Sequence, residues 1–142
     1  MSEEPTMHSR RALTLRFDLP ISKTKEFWEA LRAGKFITTK CKSCGNISFP
    51  PQSDCSRCMS SEFEWVDLGR DATLVTCTHV NVKPASFASN EPYMIAIGEF
   101  EGGVNVLAWL EGVKREEAAP GMRLRVEARV SEGNPYYVFV RA

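Results

Sequence analysis

The residues best suited to chemistry are four cysteines in two pairs, Cys41-Lys42-Ser43-Cys44 and Cys55-Ser56-Arg57-Cys58, with ten residues between the pairs. A turn of this kind brings two sulfurs to one metal ion at about 2.3 Å, and two such turns close a tetrahedral four-thiolate site. The pattern predicts one Zn2+ ion held by Cys41, Cys44, Cys55 and Cys58. Four thiolates leave no coordination position for water, so this zinc is expected to be structural. Metal binding worth about 10–16 kcal/mol is ample to fold a small ribbon. Soft thiolates also suit iron, which makes an iron-binding redox protein a rival reading. Gly45 follows the first pair, where a positive φ is often needed. Met59 takes the equivalent place after the second pair. Lys42 and Arg57 lie inside the turns and offset the excess negative charge of four thiolates on a divalent ion.

Little else in the chain looks reactive. Cys77 lies between Thr76 and Thr78 in a strand-like run and reads as a small buried hydrophobe. His79 shares its strand face by alternation, but residues two apart point in parallel and rarely form a productive pair. His8 sits in a polar leading segment. No nucleophile elbow, Gly-rich phosphate loop, HExxH or paired-carboxylate motif appears, which argues against an independent hydrolase or transferase site.

Three elements must position the cysteines. The first is residues 1–34. Residues 1–11 are polar, and Leu13, Leu15, Phe17 and Leu19 then alternate with polar neighbours, the period of a half-buried strand or of an arm laid on a partner. Ser22 is the expected N-cap of a helix over 23–33, with Phe27, Ala30 and Leu31 on one face and Gly34 as its stop. The second is the ribbon, residues 35–61. The third, residues 62–142, reads as strands: Phe63–Val66, Ala72–Val82, Tyr93–Phe100, Val104–Leu110, Leu124–Val130 and Tyr136–Val140. Turns are expected at Glu101-Gly102-Gly103 and Gly133-Asn134-Pro135, and a helical turn within 114–121. The fold class is mainly β: a helix, a rubredoxin-like four-cysteine ribbon, and an OB-fold β-barrel, the closed five-stranded type that best fits the length.

Bulk properties narrow the function. Lysine plus arginine equal aspartate plus glutamate at 18 each, so the 142-residue chain carries no formal net charge. The stretch 62–142 holds eight Lys/Arg against twelve acids, a net of −4, which repels a polyanion. A single-stranded nucleic-acid-binding ribbon/OB module is therefore the alternative rather than the leading reading, and no nucleic-acid partner is expected. No apolar run of about 18 residues exists, so no transmembrane helix and no membrane partner are expected. The start has no apolar core, so a secretory signal is not expected. Cysteines paired for metal binding fit a reducing compartment, the cytoplasm.

The order of modules, and several short stretches, resemble a family of thiolase-associated zinc-ribbon/OB-fold proteins over about residues 23–140. The stretches are Phe27-Trp28-Glu29-Ala30-Leu31 with Gly34, Cys41-Lys42-Ser43-Cys44-Gly45, Phe49-Pro50-Pro51, Leu68 to Leu74, Pro92-Tyr93-Met94-Ile95-Ala96 and Pro120-Gly121-Met122. The second cysteine pair reads CSRC where CPxC is common in the family. The resemblance implies a non-catalytic accessory subunit, without activity alone, in a hetero-oligomer with a thiolase-like, aldolase or enoyl-CoA hydratase-like enzyme. It also implies that the subunit binds or shields an acyl-CoA in lipid, steroid or isoprenoid metabolism. A CoA thioester presents phosphates and an adenine, and its binder needs a few cations and an aromatic surface. Residues 35–61 carry Lys35, Lys40, Lys42 and Arg57 against Asp54, a local net of +3. On that reading Lys40, Lys42, Arg57, Arg70 and Phe49 are the candidate CoA-binding residues.

Overall fold

The computed structural model describes residues 16–142. One helix leads into a small three-stranded sheet and then a closed five-stranded barrel. Helix α1, Lys25–Arg32, starts two residues later than expected, and Ser22 is not its cap. Thr24 holds that position without a side-chain hydrogen bond. Its end follows the sequence. Gly34 takes φ +77°, its N–H donates to the carbonyl of Leu31 at 3.0 Å, and Lys35 N–H donates to Ala30 at 2.9 Å. This pair of reverse bonds is a Schellman termination, which requires the left-handed glycine. Phe27 and Leu31 form the buried face, and Ala30 is half-buried beside them. Of the expected apolar arm, Leu13 and Leu15 lie outside the described residues. Arg16–Pro20 forms no strand and covers no core here, for Phe17 and Leu19 are exposed.

The small sheet orders β2 (Ile47–Ser48), β1 (Ile37–Cys41) and β3 (Phe63–Asp67), all antiparallel. This corrects one strand assignment: Phe63–Val66, read as the first strand of the barrel, pairs along its whole length with β1 in the ribbon. β1 buries two hydroxyls, and both are bonded. Thr38 Oγ1 donates to the Ser48 carbonyl, and Thr39 Oγ1 accepts from Gln52 N–H at 2.8 Å. Burying these groups unpaired would be costly, so the bonds fix the loop over 49–53 against β1.

The barrel comprises β4 (Asp71–Val80), β5 (Tyr93–Phe100), β6 (Val104–Glu111), β7 (Arg123–Ser131) and β8 (Asn134–Arg141). It closes in the order β4-β5-β6-β8-β7, with β6 and β8 parallel and every other pair antiparallel. Inward residues such as Leu74, Ala96, Val106 and Leu124 alternate with outward ones along β5 and β6 and the first parts of β4 and β7, while β8 buries Val138 and Phe139 in succession. Gly98 belongs to this pattern for a steric reason: a Cβ there would lie 2.6 Å from Cζ of Phe139. The turn after β7 is one residue earlier than expected. Glu132 and Gly133 hold φ +49° and +79°, and Asn134 and Pro135 already pair with β7. A short 3-10 turn at Arg115–Glu117 interrupts the connection to β7.

An aromatic cluster joins the three parts. Phe36 lies 6.2 Å from Phe27 of the helix, 5.3 Å from Phe49 of the ribbon, and 5.5 and 5.3 Å from Phe100 and Tyr137 of the barrel. Each such contact adds about 0.5–1.5 kcal/mol beyond area burial, so the ribbon is packed onto the barrel rather than tethered to it.

Candidate metal centre

The two cysteine turns are built alike. In the first, Gly45 N–H donates to the Cys41 carbonyl at 2.9 Å and Cys41 N–H to Asn46 at 2.8 Å. In the second, Met59 N–H donates to Cys55 at 2.9 Å and Cys55 N–H to Ser60 at 2.8 Å. Gly45 and Met59 hold φ +74° and +63°. The geometry, not the residue type, is thus repeated, and Met59 bears the left-handed conformation that glycine adopts freely. A bond of 2.9 Å from Ser43 Oγ to Ser60 Oγ ties the two turns together.

The four sulfurs lie within 4.8 Å of one another. Cys41 Sγ is 3.5 Å from Cys58 Sγ, and Cys44 Sγ is 3.7 Å from Cys55 Sγ. Four sulfurs at about 2.3 Å from one zinc stand about 3.8 Å apart, whereas a disulfide needs about 2.0 Å. The separations fit a shared ion and no disulfide. Cys41 and Cys55 are buried and Cys44 and Cys58 exposed, so each turn presents one inner and one outer ligand.

The backbone also favours thiolates. The N–H of Cys44 holds the Cys41 thiol below its ordinary range, against the opposing effect of burial. The N–H groups of Cys58 and Arg57 bring Cys55 down to about 6. Cys58 goes the other way, to about 12. The Ser60 N–H pulls it down, but hydrogen bonds shared with the sulfurs of Cys41, Cys44 and Cys55 outweigh that pull. Without a cation, four crowded sulfurs cannot all lose their protons, and a divalent ion removes that conflict. The chain holds one structural zinc ion on these four cysteines.

The other expected site residues are not brought to one place. Lys42 and Arg57 are exposed in the two turns, and Lys40 lies on β1 opposite Glu64. Arg70 is at the other end of the ribbon: β1 alone runs about 13 Å from Cys41 back to Ile37. Its guanidinium donates to the Gly34 carbonyl at 3.0 Å, closing the C-terminus of α1. Phe49 is engaged in the aromatic cluster, 5.9 Å from Phe27 and 5.7 Å from Tyr137. Sequence reasoning missed the apolar outer face of β5 and β6, although Ile95, Ile97 and Leu107 stand at outward positions in the alternation.

A four-thiolate ribbon packed on a five-stranded barrel defines a two-module zinc-ribbon/OB-fold protein. Residues 28–64 match the rubredoxin-like zinc ribbon domain of ChsH2, and residues 65–129 match the C-terminal OB-fold domain of ChsH2. A DUF35 domain-containing scaffold protein of Methanocaldococcus jannaschii is 33% identical over 94 residues, which cover 66% of this chain and 67% of that one. The chain belongs to this family of thiolase-associated DUF35 zinc-ribbon/OB-fold proteins. The benzoylsuccinyl-CoA thiolase subunit BbsA of Geobacter metallireducens is 32% identical over 73 residues, which cover 51% of this chain and 48% of BbsA. A solved Ltp2-ChsH2(DUF35) aldolase chain has the same fold, with a TM-score of 0.72 at 19% identity over 82% of this chain and 92% of that one.

Proposed function

We propose that this protein is a non-catalytic accessory subunit that docks a thiolase-like, aldolase or enoyl-CoA hydratase-like enzyme and binds or shields its acyl-CoA. The observation that carries this reading is the set of likenesses: proteins similar to this chain are named as a DUF35 scaffold and a thiolase subunit, and the ribbon-and-barrel fold is shared with a chain of an Ltp2-ChsH2(DUF35) aldolase. The closed zinc centre agrees with it, because a metal with four sulfur ligands binds no substrate and shapes the chain instead. Lys42 and Arg57 are the cations best placed for CoA phosphates. Asp54, the acid in 35–61, is held below the usual carboxylate range by hydrogen bonds from Ser61 and Ser53, so it is engaged locally. Lys40 adds to the same end of the ribbon. Arg70 and Phe49 act through the fold rather than on ligand. No described helix is long and apolar enough to cross a membrane, and free thiols kept for zinc fit the cytoplasm.

The test is co-purification of the tagged chain from its native cell, with mass spectrometry of the bound protein and metal analysis. Recovery of a thiolase, aldolase or hydratase with one zinc per chain is expected. Robust acyl-CoA turnover by the isolated chain, or recovery of no such enzyme, would contradict the proposal.

A further inference from the structure

The two sides of the barrel differ in charge. On β7 the outward positions Arg123, Arg125, Glu127 and Arg129 are all charged. On β4, β5 and β6 the register aligns two outward rows, Thr76–Ile97–Leu107 and Thr78–Ile95–Trp109, with no charge in either. Leu107 is 59% exposed in the middle of a strand. Tyr93 extends the patch, stacked on Trp109 with ring centroids 4.3 Å apart, and Phe87 from the β4–β5 connection lies 5.9 Å from Trp109. In OB barrels the second and third strands and the first connecting loop form the recognition face, and here these are β5, β6 and the segment carrying Phe87.

The occupant follows from the charges. Single-stranded nucleic acid needs stacking aromatics inside a cationic groove. This face has aromatics without the groove. The cleft of about 710 Å³ beside Trp109 has Lys114 and Arg115 on its rim, but Glu91 and Glu116 balance them, and Glu111 is bonded to Arg129. An aromatic centre, a rim of both signs and a low charge at the core are the anatomy of a protein–protein interface. His79 lines the same cleft, and its Nδ1 is the one buried side-chain polar atom without a hydrogen-bond partner among the described residues. A second copy is a poor occupant. Three strands by about four residues give the face a projected area of only about 200 Å², against about 800 Å² per partner in a standard interface. A larger surface has to supply the remaining contact.

We infer that the uncharged outer face of β5 and β6, with Tyr93 and Trp109 at its centre, is where the enzyme subunit of the proposed function docks. This rests on that reading and adds the place of contact. Docking through such a face is insensitive to salt, unlike attraction through the ribbon cations.

The complex of the full chain with the enzyme identified by mass spectrometry is the test. A photo-crosslinking amino acid is placed at position 107 or, as control, at position 125. Crosslinks to the enzyme from 107 and none from 125 are expected. Leu107→Asp is expected to weaken the complex at least tenfold with zinc content and circular dichroism unchanged, whereas Arg125→Ser and 0.5 M salt leave it intact. Crosslinks from 125 alone, or wild-type binding by Leu107→Asp, would overturn the inference while leaving the proposed function standing. Self-crosslinking from 107 in a dimer, or binding of oligo-dT lost in Leu107→Asp, would replace the occupant. If the wild-type chain captures no such enzyme, the proposed function fails and this inference falls with it.

Discussion

The ribbon and the barrel are stabilised by different physics. The barrel buries hydrocarbon: Leu74, Val106, Leu124, Val126 and Phe139 are each at most 2% exposed. From β1 to β3 the buried residues are instead Thr38, Thr39 and Cys41 on β1 and Cys55 in the second cysteine turn. Hydroxyls and thiols in the interior give little hydrophobic driving force, and the apolar rings Phe36 and Phe49 face the barrel and helix. A fold whose interior is polar and sulfurous needs its ion. A fold whose interior is alternating aliphatic side chains does not. The comparison teaches that one chain can carry a metal-dependent module packed on a metal-independent one.

The sharpest way to break this contrast is to remove zinc. Chelation, or Cys55→Ser, is expected to forfeit much of the about 10–16 kcal/mol that zinc binding supplies to such sites. Hydrogen exchange then accelerates over 37–67 while the strands over 93–100 and 123–141 stay protected. Equal loss of protection in both parts would show that the barrel also depends on the metal. Acid does the same more gently. Zinc requires thiolates, and Cys58, pushed up to about 12 without metal, must release its proton on binding. Zinc affinity therefore rises with pH and falls as pH drops, measurable by competition with a colorimetric chelator from pH 8 to 5. A pH-independent affinity would contradict the four-thiolate assignment.

Phe139→Ala attacks the other side of the comparison. Truncating this fully buried ring costs about 3–5 kcal/mol. It lowers the denaturation midpoint of the barrel yet leaves one zinc per chain bound. Gly98→Ala comes next. Its Cβ would lie 2.6 Å from Phe139 Cζ, and overpacking of this kind costs about 1–3 kcal/mol. The double variant Gly98→Ala with Phe139→Leu should recover part of that loss, and strict additivity would show that the two positions do not share the space. The smallest effect is at Met59, which is 80% exposed at φ +63°. Met59→Gly removes the left-handed strain without losing packing, and raises the thermal midpoint of the zinc form by the equivalent of less than about 1 kcal/mol.

How much of this was legible in the sequence depends on the range of the interaction. Ligand identity is written locally, so Cys41, Cys44, Cys55 and Cys58 were readable from spacing alone. So was the glycine that ends α1. Pairing is not local. β1 reads Ile37-Thr38-Thr39-Lys40-Cys41, with no apolar alternation, so nothing in it announced Phe63–Asp67 as its partner. The helix start was misplaced because Ser22 has the better capping side chain, yet the chain begins to wind at Thr24 without using one. Arg70 stands just before a strand and reads as a candidate CoA-binding cation. Its role at Gly34 depends on a contact across 36 positions, which no window of sequence displays. Phe49, also a candidate CoA-binding residue, is half-buried and packs against Phe27, Phe36 and Tyr137, contacts that no local stretch of sequence displays.

The central claim is that the cysteine turns hold a closed, structural zinc that shapes the ribbon. The most direct test is X-ray absorption at the zinc edge on the purified full-length protein, with the metal counted per chain. One zinc with four sulfur neighbours at about 2.3 Å and no nitrogen or oxygen neighbour is the predicted result. A light-atom ligand or open position at the zinc, or iron in place of it, would contradict the account.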